Sequence, residues 1–439
     1  MPKALPRLRM DLDFMPSPDP ERPGLFIRDP FQYSEMMLIV PPALVPLLEM
    51  FDGQTTDNDL RELLMRMTGD PNVGEVESNF IGMLSSAGFL HDEIFEGKRE
   101  ARHREFAASS LRPASHAGSA YPAEKDEART LFTQYMTGDE PYEDGNLIAI
   151  AAPHVSPFGG FDCYRAAYRA LRPEHRERTF VILGTSHYGE PDRFGLTRKN
   201  FITPFGEAVT DTALVDELAA AAPGAVEMED YCHATEHSIE FQVAFLQHVL
   251  DGPARTSSLL AADGRPMMTG GLLGPDGRPL GSAGRSNPVR ILPILCGAYA
   301  HSIYEGGMPE DNEHVARFIG ALGEIAARRS RDLVFVLGVD MAHMGARYGD
   351  QTAAIAGESE MKAVEERDRA RIAALCSGDS KAYWELVQQN QDDLKWCGAS
   401  PFYTFSKALP QARGFLRRYD QWNIDDQSVV SFAGMTFTG

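Results

Sequence analysis

Three histidines in the sequence each follow a short, strongly apolar run. The runs are NLIAIAAPH, ending at His154, RTFVILGTSH, ending at His187, and DLVFVLGVDMAH, ending at His343. Such runs are typical of strands buried on both faces of a sheet, and ligands of open α/β sheets bind beyond the carboxyl ends of the strands. One histidine in such a place is usually only a polar loop residue. Three of them, with imidazole the commonest metal-binding side chain, predict a site for Fe, Zn or Cu.

The five cysteines are scattered and include no CxxC pair, so we expect no disulfide framework. One of them, Cys397 in the segment KWCGASP, precedes a glycine and then a helical pattern. A helix N-terminus favours the thiolate form of a cysteine, and a thiolate binds soft metals or acts as a nucleophile. A cysteine in such a place is still more often structural, so its position alone does not assign it a role.

The segment HATEH, from His233 to His237, matches the HxxEH pattern of the inverzincin proteases. That zinc site requires both histidines on one face of a helix. We predict instead that Thr235 caps the helix, which leaves His233 outside it and disfavours the protease interpretation. His237 would then enter a pocket as a hydrogen-bond donor or proton carrier. The alternative for Glu236 and Glu240 is that they only stabilise the helix dipole.

From about residue 112 onward, strand patterns alternate with amphipathic helix patterns such as FDCYRAAYRAL and EHSIEFQVAFLQHVL. This order predicts an α/β domain over 112–439, with a mainly parallel sheet and helices on both faces. The late segments GFLRRYDQW and SVVSFAGMTFT alternate like added antiparallel strands. Residues 251–289 are rich in Gly, Pro, Ser and Arg, and we interpret them as a surface insertion that serves as a lid or an interface, with disorder as an equal alternative.

The first quarter of the chain has a different pattern. Residues 1–25 are rich in Pro and charge and predict an extended lead-in, while residues 96–111 predict a helical linker. Between them, residues 26–95 begin with a hairpin-like stretch and continue with three helical patterns, which predicts a small α+β domain. A helical accessory domain of no set function is an equally good interpretation of 26–95.

The composition argues against two classes of partner. The 439 residues carry a formal net charge of −21, which argues against nucleic acid, because phosphate binding needs clustered Lys and Arg. The sequence contains no apolar run of the roughly 18 residues that a membrane span needs, so we expect no membrane partner. The first residues have no apolar stretch typical of a secretory signal, and a cytoplasmic location is the default expectation.

Several segments occur in an order that is typical of one protein family. They are SHAGSAYPA, AIAAPH, FVILGTSHYG, TPFGE, EHSIEFQVAFLQ, ILPILCGAY, GVDMAHMGARYGD and CGASP. Together they resemble the Memo family, also called AmmeMemoRadiSam system protein B, over 112–439 apart from 251–289. The resemblance implies the fold of the class III extradiol (LigB-type) dioxygenases. The segments LVPLLEMFDG and LSSAGFL within 26–95 resemble the PqqD-like winged-helix domains that bind leader peptides.

The Memo resemblance implies a metal site formed by His154, His187 and Cys397. The related dioxygenases hold Fe(II), so Fe(II) is the expected cofactor. Cu and Zn are the alternatives, because a thiolate is a softer ligand than the carboxylate of those enzymes. The thiol is also oxidisable beside O₂, which argues against ordinary catechol cleavage. The chain departs from the family at APHVSPFGG, which lacks a tyrosine, and at CGASP, which lacks a basic residue and a histidine.

The same resemblance places His343, Asp340 and His237 around this site as candidate catalytic residues. They imply a possible metal-dependent oxidoreductase, dioxygenase-like, acting on an unknown small molecule. The alternative is a non-catalytic adaptor, whose N-terminal domain recruits a peptide or protein partner of a radical SAM-linked system. A metal-free pocket for a peptide or small acid is a third interpretation.

Overall fold

The computed structural model describes residues 2–138, 146–251 and 288–439. The chain divides into two compact units, Met1–Ser109 and Ser110–Gly439. Almost all of the insertion predicted at 251–289 lies outside the described residues. All of the candidate site residues lie in the second unit. Among the helices of the described ranges, none is both long enough and apolar enough to cross a bilayer.

The N-terminal unit combines a small antiparallel sheet with helices. Its strands, in the order β1-β2-β3, are β1 (Asp13–Pro16), β2 (Leu25–Arg28) and β3 (Leu38–Val40). Its α-helices are α1 (Asp57–Thr68), α2 (Gly74–Ser86) and α3 (Glu93–Ala108). The first predicted helix is a 3₁₀ helix over Pro42–Met50, and Pro46 within it has no N–H to donate to an α-helical hydrogen bond.

The segment predicted as an extended lead-in contributes to the core of this unit. Leu5, Leu8 and Leu12 are buried there. The N–H of Leu5 also donates to the carbonyl of Thr55 at 2.8 Å, so the segment is held by both packing and hydrogen bonding. Most of the predicted helical linker 96–111 belongs to α3.

The second unit is built on one large sheet with helices packed against it. Its strands are β4 (Leu111–Arg112), β5 (Leu147–Ala152), β6 (Thr179–Thr185), β7 (Phe194–Leu196), β8 (Asn200–Thr203), β9 (Gly206–Thr210), β10 (Val226–Met228), β11 (Arg290–Cys296), β12 (Leu333–Gly338), β13 (His343–Gly345), β14 (Arg413–Asp425) and β15 (Ser428–Thr438). Its α-helices are α4 (Lys125–Tyr135), α5 (Pro157–Tyr168), α6 (Thr212–Ala221), α7 (Cys232–Thr235), α8 (His237–Asp251), α9 (Ala300–Glu305), α10 (Glu313–Arg328), α11 (Ser359–Ser377), α12 (Ser380–Gln388) and α13 (Ala399–Ala408).

The strand order of this sheet is β13-β15-β5-β12-β6-β11-β9-β8-β4, with β14 paired to β15 and with β7 and β10 off the main path. The central neighbours β5, β12, β6 and β11 run parallel. The late strands β14 and β15 are antiparallel to each other, and β15 is antiparallel to β5. The predicted α/β class with a mainly parallel sheet is confirmed, as are the added antiparallel strands.

The central strands are buried on both faces, which explains their nearly continuous apolar sequences. Along β5, Ala149 and Ala151 belong to one hydrophobic cluster, which includes residues of α6, α10 and α13. Their neighbours Ile150 and Ala152 belong to a second cluster, which includes residues of α4, α5 and α8. Side chains alternate across a strand, so one run of residues supplies both cores.

Strand register brings the candidate site residues to one edge of this sheet. Gly338 at the end of β12 pairs with Ala152 of β5 and with Gly184 of β6. Both glycines allow α8 to approach closely. A Cβ at Gly338 would lie 2.1 Å from the carbonyl oxygen of Ser238, and one at Gly184 would lie 2.5 Å from its Oγ. The N-terminus of α8 is therefore held against the ends of β6 and β12.

Candidate metal centre

His154 follows β5 and is almost fully buried. Its main-chain N–H donates to Oδ1 of Asp340 at 2.9 Å, and its Nδ1 lies 2.9 Å from the carbonyl oxygen of Gly338. A carbonyl only accepts, so Nδ1 carries the proton and Nε2 keeps a free lone pair. Burial, together with the neighbouring imidazoles of His187 and His237, holds the pKa of His154 well below its usual value. A neutral ring with a free Nε2 is the form that binds a metal.

His187 follows β6 and is paired with a buried carboxylate. Its Nδ1 lies 3.0 Å from Oε2 and 3.1 Å from Oε1 of Glu236, and its main-chain N–H donates to Oε2 at 3.1 Å. Burial lowers the pKa of His187, but the Glu236 carboxylate more than offsets this effect and leaves the pKa well above its usual value. The ring also hydrogen-bonds the Cys397 thiol.

Cys397 completes a set of three donor atoms. Its Sγ lies 3.2 Å from Nε2 of His154, and the donor atoms of His154, His187 and Cys397 all lie within 4.8 Å of one another. The Cys397 carbonyl accepts a hydrogen bond from Oγ1 of Thr185 at 3.0 Å, which ties the residue to the end of β6. The sequence thus placed these three candidate ligands in elements that the fold brings together.

Burial opposes the effect on the Cys397 thiol that the sequence predicted for its helix. Cys397 precedes α13, where the helix dipole was expected to favour the thiolate. Burial instead raises the pKa of Cys397, and hydrogen bonding to His187 offsets only part of that effect. A buried thiol of this kind is neutral by itself, so a bound cation is the partner that would stabilise its thiolate.

Glu236 is the residue at this site whose role the sequence analysis missed. It is almost fully buried and lies between α7 and α8. Besides His187, its Oε1 accepts the main-chain N–H groups of His237 at 2.9 Å and Ser238 at 3.1 Å. Glu236, His187 and His237 form a second set of possible donor atoms. The Glu236 carboxylate is already hydrogen-bonded to His187, His237 and Ser238. We therefore interpret Glu236 as a residue that orients His187, and not as a ligand of a separate metal site.

The structure also decides the geometry of HATEH. His233 lies in α7 and its Nε2 hydrogen-bonds the Gly195 carbonyl at 3.1 Å, whereas His237 begins α8. Glu236 between them has an extended backbone, with φ −70° and ψ 132°. The two histidines therefore do not share one helical face, and the inverzincin arrangement is not formed. The cap predicted at Thr235 is wrong, since α8 begins after Glu236 and the Glu236 carboxylate accepts its first N–H groups.

The other candidate residues surround the three donors. The His237 ring centroid lies 5.0 Å from those of both His154 and His187. Asp340 is buried, and its Oδ2 lies 3.5 Å from Nε2 of His154. Burial raises the pKa of Asp340 and lowers that of His343 to about 4. The Nδ1 of His343 lies 2.9 Å from the carbonyl oxygen of Met341.

A fifth imidazole, that of His116 in the segment SHAGSAYPA, lies beside His237. The ring centroid of His116 is 5.5 Å from that of His237. Its main-chain N–H donates to Glu240 at 3.0 Å, and the same buried carboxylate accepts from Tyr121 at 2.5 Å and pairs with Arg112. Glu240 therefore does more than favour the helix dipole: it fixes the segment that carries His116.

The family model described as Memo-like protein matches residues 112–258 and 283–436, which is more than half of the sequence. The chain belongs to the Memo-like protein family. A MEMO1 family protein of Aquifex aeolicus is 24% identical over 415 residues, covering 94% of this chain and 95% of the relative. One from Thermococcus kodakarensis is 26% identical over 330 residues, covering 73% and 97%. One from Thermus thermophilus is 25% identical over 311 residues, covering 70% and 76%.

The Memo-like ranges contain every candidate site residue discussed above. The Aquifex alignment is longer than the second unit, so that Memo-like relative also matches part of the N-terminal unit. The relation of the Memo-like domain to LigB-type dioxygenases, and that of 26–95 to PqqD-like domains, stay predictions.

Proposed function

We propose that this Memo-like protein binds one metal ion through Nε2 of His154, the imidazole of His187 and Sγ of Cys397. The observation that supports the proposal is the convergence of these three donor atoms within 4.8 Å. Metal–nitrogen and metal–sulfur bonds are about 2.0 to 2.3 Å long for zinc, so one ion between the three atoms needs only small side-chain adjustments.

The hydrogen bonds around the donors support the same proposal. Histidine ligands of metals usually donate their second ring N–H to a carboxylate or a carbonyl, which fixes the ring and its tautomer. His154 has such a contact with the Gly338 carbonyl, and His187 has one with Glu236. Each of these two rings therefore has one nitrogen held by the protein and one directed toward the other donors.

The donor types favour a redox-active or borderline-soft metal. Imidazole suits Fe, Cu and Zn, and a thiolate increases the preference for Cu(I), Zn or thiolate-tolerant iron. Fe(II) follows from the resemblance to dioxygenases, and Cu is the leading alternative from the softness of Cys397. Three protein ligands leave coordination positions open, so a bound Fe or Cu ion would supply redox chemistry to a small molecule beside it.

The surrounding residues would bind and orient that small molecule and move protons. One third of the His237 side chain is exposed, so its ring can exchange a proton with a molecule bound at the site. Asp340 is buried, with Oδ2 3.5 Å from Nε2 of His154, and His343 is partly buried. We propose these three as the catalytic residues of an oxidoreductase.

Metal analysis tests the ligand assignment directly. Full-length protein would be loaded anaerobically with Fe(II), Cu(I) or Zn(II), and bound metal would be counted after desalting. We expect one equivalent in the wild type and a large loss in His154→Ala and Cys397→Ala. His233→Gln, which changes a buried histidine outside the three donors, is the matched control. Equal metal content in His154→Ala and the wild type would contradict the assignment.

Oxygen consumption tests the redox part of the proposal separately. The Fe(II)-loaded and Cu(I)-loaded proteins would be followed for O₂ uptake over a panel of catechols and other phenols. We expect uptake that depends on Cys397 and decreases in His237→Gln. Uptake no greater than that of Cys397→Ala would refute oxygenase activity and leave metal binding as the function.

A further inference from the structure

The residues that precede Cys397 adopt an unusual backbone. In the loop of residues 390–396, called here the left-handed loop, four non-glycine residues have positive φ: Asn390 (54°), Gln391 (57°), Asp392 (53°) and Lys395 (54°). Non-glycine residues adopt this region only sparsely, and such conformations persist where the surrounding structure imposes them. The contacts of this loop therefore indicate what imposes its shape.

A buried ion pair holds the middle of the left-handed loop. Oδ1 of Asp392 accepts a hydrogen bond from Nη1 of Arg371 at 2.7 Å, and Oδ2 accepts the main-chain N–H of Trp396 at 3.0 Å. The two charged side chains are 1% and 9% exposed, so solvent weakens their interaction little. The Arg371 guanidinium also lies 5.2 Å from the centre of the Trp396 ring. The pair thus fixes both the turn and the residue next to Cys397.

The far side of Trp396 is held as well. Its Nε1 donates to the buried carboxylate of Asp368 at 2.6 Å. Trp396 is itself buried, and it cannot rotate without breaking this bond and its contact with Arg371. The main chain of the next residue, Cys397, is thereby fixed in place.

The same loop also positions His343. The His343 main-chain N–H donates to the carbonyl of Leu394 at 2.9 Å, and its Nδ1 lies 3.1 Å from the carbonyl oxygen of Lys395. One short segment therefore sets the thiol of Cys397 and the imidazole of His343, two groups that the sequence places more than fifty residues apart.

We infer that Arg371 and Asp392 are positioning residues, which hold the left-handed loop so that Cys397 reaches the two histidines. The inference rests on the proposed metal site. When the pair is broken, the loop relaxes toward ordinary backbone conformations and the thiol moves away, while His154 and His187 stay on β5 and β6. The specific consequence is a metal that keeps its histidine ligands and loses its thiolate.

Cobalt(II) distinguishes metal–thiolate bonds from metal–histidine bonds. A thiolate ligand gives bound Co(II) an intense charge-transfer absorption, and a histidine ligand does not. Full-length wild type, Arg371→Lys and Asp392→Asn would be titrated anaerobically with Co(II). We expect the thiolate absorption per bound Co(II) to fall in both variants, with affinity weakened about 10- to 100-fold, the range for supporting residues of metal sites. Circular dichroism would verify the fold.

Arg367→Lys is the matched control. Arg367 lies one helical turn before Arg371 and pairs with Asp393 of the same loop, but this pair is 35% and 42% exposed. Exposed ion pairs contribute little, so Co(II) affinity and absorption should match the wild type.

Three results would overturn specific claims. Unchanged thiolate absorption and affinity in folded Arg371→Lys and Asp392→Asn would refute the positioning role. Loss of the fold in both variants would also refute it, because the pair would then hold the domain rather than the loop. If the wild type itself shows no thiolate–cobalt absorption that Cys397→Ala removes, the proposed metal site fails.

Discussion

Glu236 and His187 form a buried carboxylate–imidazole pair, with Nδ1 of the ring 3.0 Å from Oε2 of the carboxylate. The pKa of the carboxyl group reflects this pairing: burial raises it, but His187 more than offsets burial and leaves it well below its usual range. An ionised acceptor on Nδ1 directs the proton to that nitrogen. Nε2 of His187 then faces the Cys397 thiol, and a metal that binds there would displace the second ring proton that the raised pKa favours.

Replacing Glu236 with Gln should weaken metal binding without removing a ligand. The neutral amide holds the His187 tautomer less firmly, so we expect about a 10- to 100-fold loss of Fe(II) or Cu(I) affinity, measured by competition with a chelator. Glu229→Gln is the matched control, since Glu229 is partly buried and hydrogen-bonded to Thr197, away from the three donors. Equal affinities in wild type and Glu236→Gln would refute the supporting role.

Replacing Cys397 with Asp should change which metal is preferred. A carboxylate is a harder ligand than a thiolate, so Cu(I) affinity should fall by at least about tenfold relative to Fe(II) affinity. Parallel titrations with the two metals give this ratio, and Cys376→Ser, which alters a cysteine on α11, is the control. A ratio unchanged in Cys397→Asp would mean that the thiol is not a ligand.

The sequence predicted the placement of His154, His187 and Asp340 well, for a physical reason. Each follows an apolar run, such runs form buried parallel strands, and parallel strands end at one edge of a sheet. Cys397 could be placed only through family resemblance. Its position depends on backbone conformations of the preceding loop, which residue propensities do not predict.

Glu236 was missed because its role depends on a break between two helices. The spacing of HATEH and the apolar residues after it predict a helix that starts at a Thr235 cap. Tertiary contacts with the end of β6 instead leave Glu236 extended between α7 and α8. In that conformation its carboxylate reaches His187, which lies far away in the sequence.

Replacing Gly398 with Ala should destabilise the protein and disturb the site. The added Cβ would lie 2.7 Å from the Asp340 carbonyl oxygen and 2.7 Å from Cβ of Val339. We expect a loss of about 1 to 3 kcal/mol in unfolding free energy, as for other overpacked positions, together with weaker metal binding because Cys397 is the preceding residue. Urea denaturation and metal titration measure the two effects.

The control for this variant is Gly320→Ala. Gly320 lies in α10 and is exposed, and an added Cβ would meet nothing within 4 Å. Alanine is a better helix former than glycine by up to about 1 kcal/mol, so Gly320→Ala should be neutral or stabilising. If Gly398→Ala were as stable as Gly320→Ala, the close contact of residue 398 with Val339 and Asp340, just after β12, would not require a glycine.

Acid stability should depend on His248, which lies in α8 between aromatic rings of Phe132 and Phe205. Burial, with a smaller effect from Arg129, lowers its pKa from 6.5 to about 4. Between these values the unfolded chain binds a proton that the folded chain does not, so stability falls as the pH decreases through this window. Protonation of the unfolded chain at His248 should therefore lower the unfolding free energy by about 2 kcal/mol once the pH is below 4. This value is reduced to allow for the partial exposure of the ring to solvent.

The variant His248→Phe should remove this contribution while keeping an aromatic ring in the same place. Unfolding free energies measured in urea at several pH values should therefore fall less steeply from pH 6.5 to pH 4 in His248→Phe than in the wild type. His301→Gln, at a histidine whose side chain is 62% exposed, should keep the wild-type slope. A buried imidazole that stays neutral reduces stability wherever only the unfolded chain is protonated. Identical slopes in all three proteins would therefore show that His248 is not such a group.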